Sequence, residues 1–175
     1  MMDELPGWLA RALGADTTLT PFGNVPWEAA ALRMAAALIL GGVIGWEREQ
    51  QDKSAGLRTH MMIALAACIF TLVTFDLMTL GGESDVPLRL DPIRLVEAVT
   101  AGVAFLAAGT IILQGDKVRG LTTGAGMWLA GAIGLACGIG NLVLAVTAAI
   151  LALFVLWLLR LIARSGRHGD RDGGP

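Results

Sequence analysis

Hydrophobic positions along this chain collect into five long runs, 29–46, 61–80, 95–113, 121–137 and 142–162, parted by short polar connections. Each run is close to the ~20 mostly apolar residues that cross the hydrocarbon core of a bilayer. A helix in a soluble domain keeps its apolar residues on one stripe. Here 63–70 (Ile-Ala-Leu-Ala-Ala-Cys-Ile-Phe) and 142–146 (Leu-Val-Leu-Ala-Val) are apolar all round. Lipid cannot hydrogen-bond a backbone, so each run must close its own bonds as a helix. The pattern predicts an all-α integral membrane protein, a compact bundle of five transmembrane helices spanning 29–162. Residues 1–28 read as an interfacial helix bearing Leu5, Trp8, Leu9 and Leu13, then a linker punctuated by Pro21, Gly23 and Pro26. Residues 163–175 read as a polar, disordered tail.

Composition agrees, with 55% hydrophobic residues, 16% charged, 23 Gly and no Tyr. The placement of charge says more than its sum. Connections 47–60, 114–120 and 163–175 hold Arg48, Lys53, Arg58, Lys117, Arg119, Arg164, Arg167 and Arg171, whereas the alternate set holds Arg11, Arg89 and Arg94. Basic loops stay in the cytoplasm, which predicts the N-terminus out and the C-terminus in. Trp27 and Trp46 bracket the first helix at the two interfaces. The start, Met1-Met2-Asp3-Glu4, is acidic where a signal peptide is basic, so no cleavable signal is expected.

Small residues recur at four-residue spacing: Ala37, Gly41 and Gly45 on the first helix, and Gly126, Ala130, Gly134 and Gly138 on the fourth. Such grooves let helix backbones approach closely. They predict packing within the bundle, with a homodimer face as the alternative. Counted along their helices, Cys68 and Cys137 differ in depth by roughly 12 Å, which predicts buried free thiols rather than a disulfide.

Ionisable groups inside a membrane usually have a partner. Arg33, Asp76 and Glu97 fall at similar depths, about 20–24 Å from the inner face. They predict an ion-pair clasp joining helices 1, 2 and 3, with an outward-facing cation or proton vestibule as the alternative. Asp91 and Pro92 read as N-cap and first position of helix 3, with Arg94 on the same face as Glu97. A second cluster occupies the inner face: Glu47, Arg48, Glu49, Lys53, Arg58, Thr59, His60, Arg119, Thr122 and Thr123. Continued helix would pair Arg48 with Asp52 and Glu49 with Lys53. Glu49 and Asp52 are poor Mg²⁺ ligands with Arg48, Lys53 and Arg58 crowding them, so an ion-pair lock between inner loops is expected, with no metal or other cofactor. Arg58, Thr59, Arg119, Thr122 and Thr123 lie where helix N-termini favour anions.

Four stretches in order carry a resemblance: Gly41 through Gly45 to Glu47-Arg48-Glu49; Lys53 through Ala55-Gly56-Leu57-Arg58-Thr59-His60; Asp91-Pro92 with Arg94; and Val118-Arg119-Gly120-Leu121-Thr122-Thr123. The chain resembles the MgtC/SapB family of membrane proteins over about 32–153. The resemblance implies a multi-pass protein of the bacterial inner (plasma) membrane, linked to magnesium homeostasis and limitation, acid-stress adaptation and virulence. It also implies action through a membrane partner, notably the F-type ATP synthase, rather than Mg²⁺ transport. Virulence-type members continue into a soluble ACT-like domain, so regulation through such a domain is not expected of this chain.

Two functions from different classes follow: a non-enzymatic protein that binds and modulates a membrane partner, or a small oligomeric cation or proton transporter or channel. The second needs a polar route, yet 63–73 and 99–113 offer only Thr71, Thr100 and Thr110 as polar side chains. With His60 and His168 the only histidines, no nucleophile motif and no phosphate loop, enzyme chemistry is not expected. No basic patch supports nucleic-acid binding.

Overall fold

The computed structural model describes residues 25–81 and 91–165. Five helices run in order: α1 (Trp27–Glu49), α2 (Leu57–Gly81), α3 (Pro92–Ala108), α4 (Leu121–Gly138) and α5 (Leu142–Ser165). By length and composition α1, α2 and α4 are each able to cross a membrane, and α5 carries a further apolar stretch, Leu142–Leu158. The proposed interfacial helix and the end of the polar tail lie outside the described residues.

Three boundaries depart from the sequence reading. The third run does not stay helical to residue 113. Helix α3 stops at Ala108, and Ile112–Gln114 (β1) pairs antiparallel with Lys117–Arg119 (β2), Leu113 facing Val118. The two-residue turn is Gly115-Asp116, and Gly115 takes the positive φ (+60°) that such a turn requires. Helix α1 ends at Glu49 instead of continuing through Lys53, with Asp52 at φ +51°. Helix α2 then starts at Leu57, four residues before its apolar run, because the Glu49 carboxylate accepts the Leu57 N–H at 2.7 Å. Arg58, Thr59 and His60 are therefore helical.

Helix α2 lies at the centre, against α1 and α4; α3 packs on α4 and α2, and α5 on α4 and α1. The small-residue stripes create these contacts. A Cβ on Gly41 would stand 2.8 Å from the His60 carbonyl oxygen, and one on Gly45 2.7 Å from Leu57 Cα. From the other side, Gly134 abuts the Ala64 carbonyl, and a Cβ on Gly138 would lie 2.9 Å from that of Cys68. Both stripes thus serve packing within the chain, with α2 filling both grooves. The interior is built of Ala37, Ile44, Ala64, Cys68, Leu72, Ala130, Ile133 and Cys137, all buried. Both cysteines are free. The contact of Gly138 with the Cys68 carbonyl brings their levels closer than counting along the apolar runs gave, since α2 begins earlier than its run.

Candidate functional site at the inner junction

The inner ends of α1, α2 and α4 meet around charged side chains that helix packing removes from solvent. Arg48 is 3% exposed, His60 fully buried and Thr123 2% exposed. Arg48 cannot pair with Asp52, because the helix ends between them. Its guanidinium turns inward, 3.6 Å from Glu47 Oε2, and donates to Thr122 Oγ1 on α4 at 3.5 Å. Glu47 also accepts from the Gln51 amide. Glu49 does not reach Lys53 as an ion pair. It caps α2 through Leu57 N–H, and its carboxylate fills the space a side chain at Gly56 would need. The expected i, i+4 pairs are replaced by one contact to α4 and one cap on α2.

His60 is held by Nδ1, which donates to the Gly56 carbonyl at 2.9 Å. Its Nε2 then carries the lone pair. That atom faces Gly126, where a Cβ would stand 3.1 Å away, so the smallness of residue 126 makes room for the ring. Glu47 Oε2, Arg48 Nε and His60 Nε2 have no hydrogen-bond partner among the described residues. Buried polar atoms are rarely left so. The junction therefore retains polar capacity that its internal bonds do not use.

Beside it an open cleft of about 770 Å³ lies between the α1–α2 connection, the hairpin and the first turn of α4. Lys53, Arg119, Thr122 and Thr123 line it, together with Asp52. The structure thus divides the predicted inner cluster three ways. Glu47, Arg48 and His60 form the buried junction, Glu49 is a helix cap, and Lys53, Arg119, Thr122 and Thr123 surround the cleft. Arg58 is exposed and Thr59 half-buried on the first turn of α2. Sequence reasoning missed the hairpin's contribution to the cleft, Ile112 and Gln114, although Gly115-Asp116 between two short β-prone stretches was a usable turn signal. Among the described residues no group of three His, Cys, Asp or Glu side chains is placed to hold a metal ion.

Among the described residues, Arg33 and Glu97 do not meet as the expected three-helix clasp requires. Arg33 Nη1 donates to the Gly138 carbonyl at 2.9 Å, at the C-terminus of α4. The last carbonyls of a helix lack intrahelical donors and favour a cation, which gives Arg33 a backbone partner. Glu97 is exposed on α3, which packs against α2 and α4 rather than α1. Asp76 is half-buried on α2, and Arg94 is exposed. Asp91 caps α3 as expected, accepting Ile93 N–H at 2.9 Å ahead of Pro92.

Comparison with known proteins places this geometry in context. The model of the MgtC family matches residues 34–165. An uncharacterised protein of Haemophilus influenzae is 37% identical over 133 residues, covering 75% of this chain and 56% of that protein. Protein MgtC of Salmonella typhimurium is 38% identical over 133 residues (76% and 53%), and Protein MgtC of Brucella abortus 37% over 135 residues (77% and 53%). The chain spans about half the length of these curated relatives. No solved structure matches it.

Proposed function

The chain belongs to the MgtC family, and from that membership we propose a multi-pass protein of the bacterial inner membrane, tied to adaptation to Mg²⁺ limitation, that modulates a membrane partner rather than catalysing a reaction or moving an ion. In this reading all five helices cross the bilayer, the N-terminus is outside, and the junction and cleft face the cytoplasm. One observation carries the choice of partner binding over transport. Between the inner junction and the level of Arg33, the space among α1, α2 and α4 is filled by Ile44, Ala64, Ala67, Cys68, Leu72 and Ile133, all buried. The one buried polar side chain there among the described residues, Thr71, spends its hydroxyl on the Ala67 carbonyl at 2.9 Å. Mg²⁺ gives up its water reluctantly and needs hard oxygen ligands, which such a filling does not offer. The polar surface available to a partner is instead the inner rim, where Arg58 is exposed.

Affinity purification from native membranes under Mg²⁺ limitation tests the reading. We expect a discrete co-purifying membrane protein with wild type and its loss with Arg58→Ala, a variant that should reach the membrane with little change in thermal stability because the side chain is exposed. Unaltered co-purification and growth with Arg58→Ala would remove the rim from the mechanism.

A further inference from the structure

We infer that the buried junction is a binding site for water, one molecule or a hydrogen-bonded pair, which ties α1 to α2 beneath α4. Contacts on three helices fix the place. His60 sits between Gly45 of α1 and Gly126 of α4: a Cβ on Gly45 would stand 3.0 Å from His60 Cβ, and one on Gly126 3.1 Å from His60 Nε2. Arg48 follows Gly45 by three residues, and it reaches Thr122, four residues before Gly126. Residues three and four apart share a helix face. The guanidinium and the imidazole therefore occupy one seam between α1 and α4, a turn apart, with Arg48 nearer the inner end. Glu47 Oε2 comes only to 3.6 Å from Arg48 Nη1, an ion pair too long to be a hydrogen bond and of a length that water commonly bridges.

The atoms that face this seam select the ligand. Arg48 Nε, Glu47 Oε2 and His60 Nε2 are enclosed and have no hydrogen-bond partner among the described residues. Arg48 is 3% exposed and His60 fully buried, so bulk solvent does not serve them. Nε offers an N–H; Oε2 and Nε2 offer lone pairs, the latter because Nδ1 donates to the Gly56 carbonyl. A metal ion or an ammonium group cannot take the Arg48 N–H and is repelled by its charge. An oxyanion brings only acceptors and would meet two more. Water accepts from Nε and donates to Oε2 and Nε2, the about three bonds that buried waters commonly make. Space is provided on α4. Outside Gly126's own stretch of the helix, Nε2 is the one group among the described residues within 4 Å of where a Gly126 Cβ would lie. Glu47, 20% exposed, marks the side from which water enters. Gly126 is then a hydration position as well as a packing one. The inference does not rest on the regulatory reading, since a transporter would carry the same junction.

The test is solid-state NMR on the full, untagged chain in liposomes, ¹⁵N-labelled, with magnetisation transferred from water protons. The background is His168→Gln, which leaves His60 the only histidine of the chain. In the neutral ring Nε2 carries no proton of its own, so transfer to it reports water in contact with that atom. We expect build-up at His60 Nε2 severalfold faster than at the amide of Ala64, a fully buried position one turn further along α2. Gly126→Ala sets a methyl in the space over Nε2 and should slow that build-up to the level of Ala64. Arg48→Lys keeps the charge, removes the Nε donor and should slow it severalfold. The measurement on the unsubstituted junction decides by itself if either variant fails to fold. Build-up at Nε2 no faster than at Ala64 overturns the inference. So does a coupling across a direct Arg48 Nε–H to His60 Nε2 hydrogen bond, or transfer indifferent to either folded variant.

Discussion

Glu49 is the residue at which local spacing and tertiary structure give different answers. Four residues before Lys53, it has the spacing of a helical ion pair, but that reading assumes a helix that continues. The chain turns at 50–56, and the carboxylate becomes the acceptor for the first amide of α2. If it acts as a cap, the oxygen matters more than the charge. Glu49→Ala should cost about 1 kcal/mol, the usual scale for a lost cap, whereas Glu49→Gln should retain most of the stability in thermal unfolding in mild detergent. Equal losses for both variants would point to a purely electrostatic role. Asp91 was legible because its cap is local, with Pro92 beside it in sequence. The partner of Arg33 was not, because the Gly138 carbonyl is a backbone group on a helix more than a hundred residues away and leaves no mark in side-chain spacing.

At the scale of elements, the small-residue stripes were the most legible feature of the fold. Four-residue spacing on α1 and α4 marks smooth faces, and α2 occupies both. The space each glycine leaves allows graded expectations. Gly45→Ala places a methyl 2.7 Å from Leu57 Cα, and Gly134→Ala drives one into the Ala64 backbone. Backbone cannot yield as a flexible side chain does, so each should lower stability by about 1–3 kcal/mol or more. Gly102 on α3 has nothing within 4 Å. Gly102→Ala should be neutral or stabilising by up to about 1 kcal/mol from helix propensity. Unfolding midpoints of the three variants would check the order, and a Gly45→Ala protein as stable as Gly102→Ala would refute the packing described for α1 and α2. The hairpin escaped detection because Ile111, Ile112 and Leu113 prolong the apolar run of α3, so hydrophobicity alone could not find where the helix stopped. The turn chemistry at Gly115-Asp116 could have.

For the whole molecule, the hydrophobic runs foretold five helices, and the basic loops predict an orientation, both without reference to any contact. The orientation has its own check. A reporter active only in the periplasm, fused after Pro175, should be silent, while a fluorescent protein there should light; the opposite pattern would reverse the sidedness of the junction and cleft. What the runs could not foretell is how the charges distribute once helices pack. The outer acids and Arg33 looked like one unit by depth, yet α3 lies away from α1. The inner charges read as an ion-pair lock between loops, yet Arg48 and His60 are among the most buried polar side chains of the described residues. Between the two levels the interior is closed by apolar side chains, and the proposal of a modulator rather than a conduit depends on that closure. Flux through the purified protein tests it most directly. Reconstituted in liposomes loaded with a Mg²⁺-sensitive dye under an inward Mg²⁺ gradient, the protein should leave the signal at the level of protein-free vesicles. Protein-dependent Mg²⁺ entry that Asp76→Asn abolishes would contradict the account.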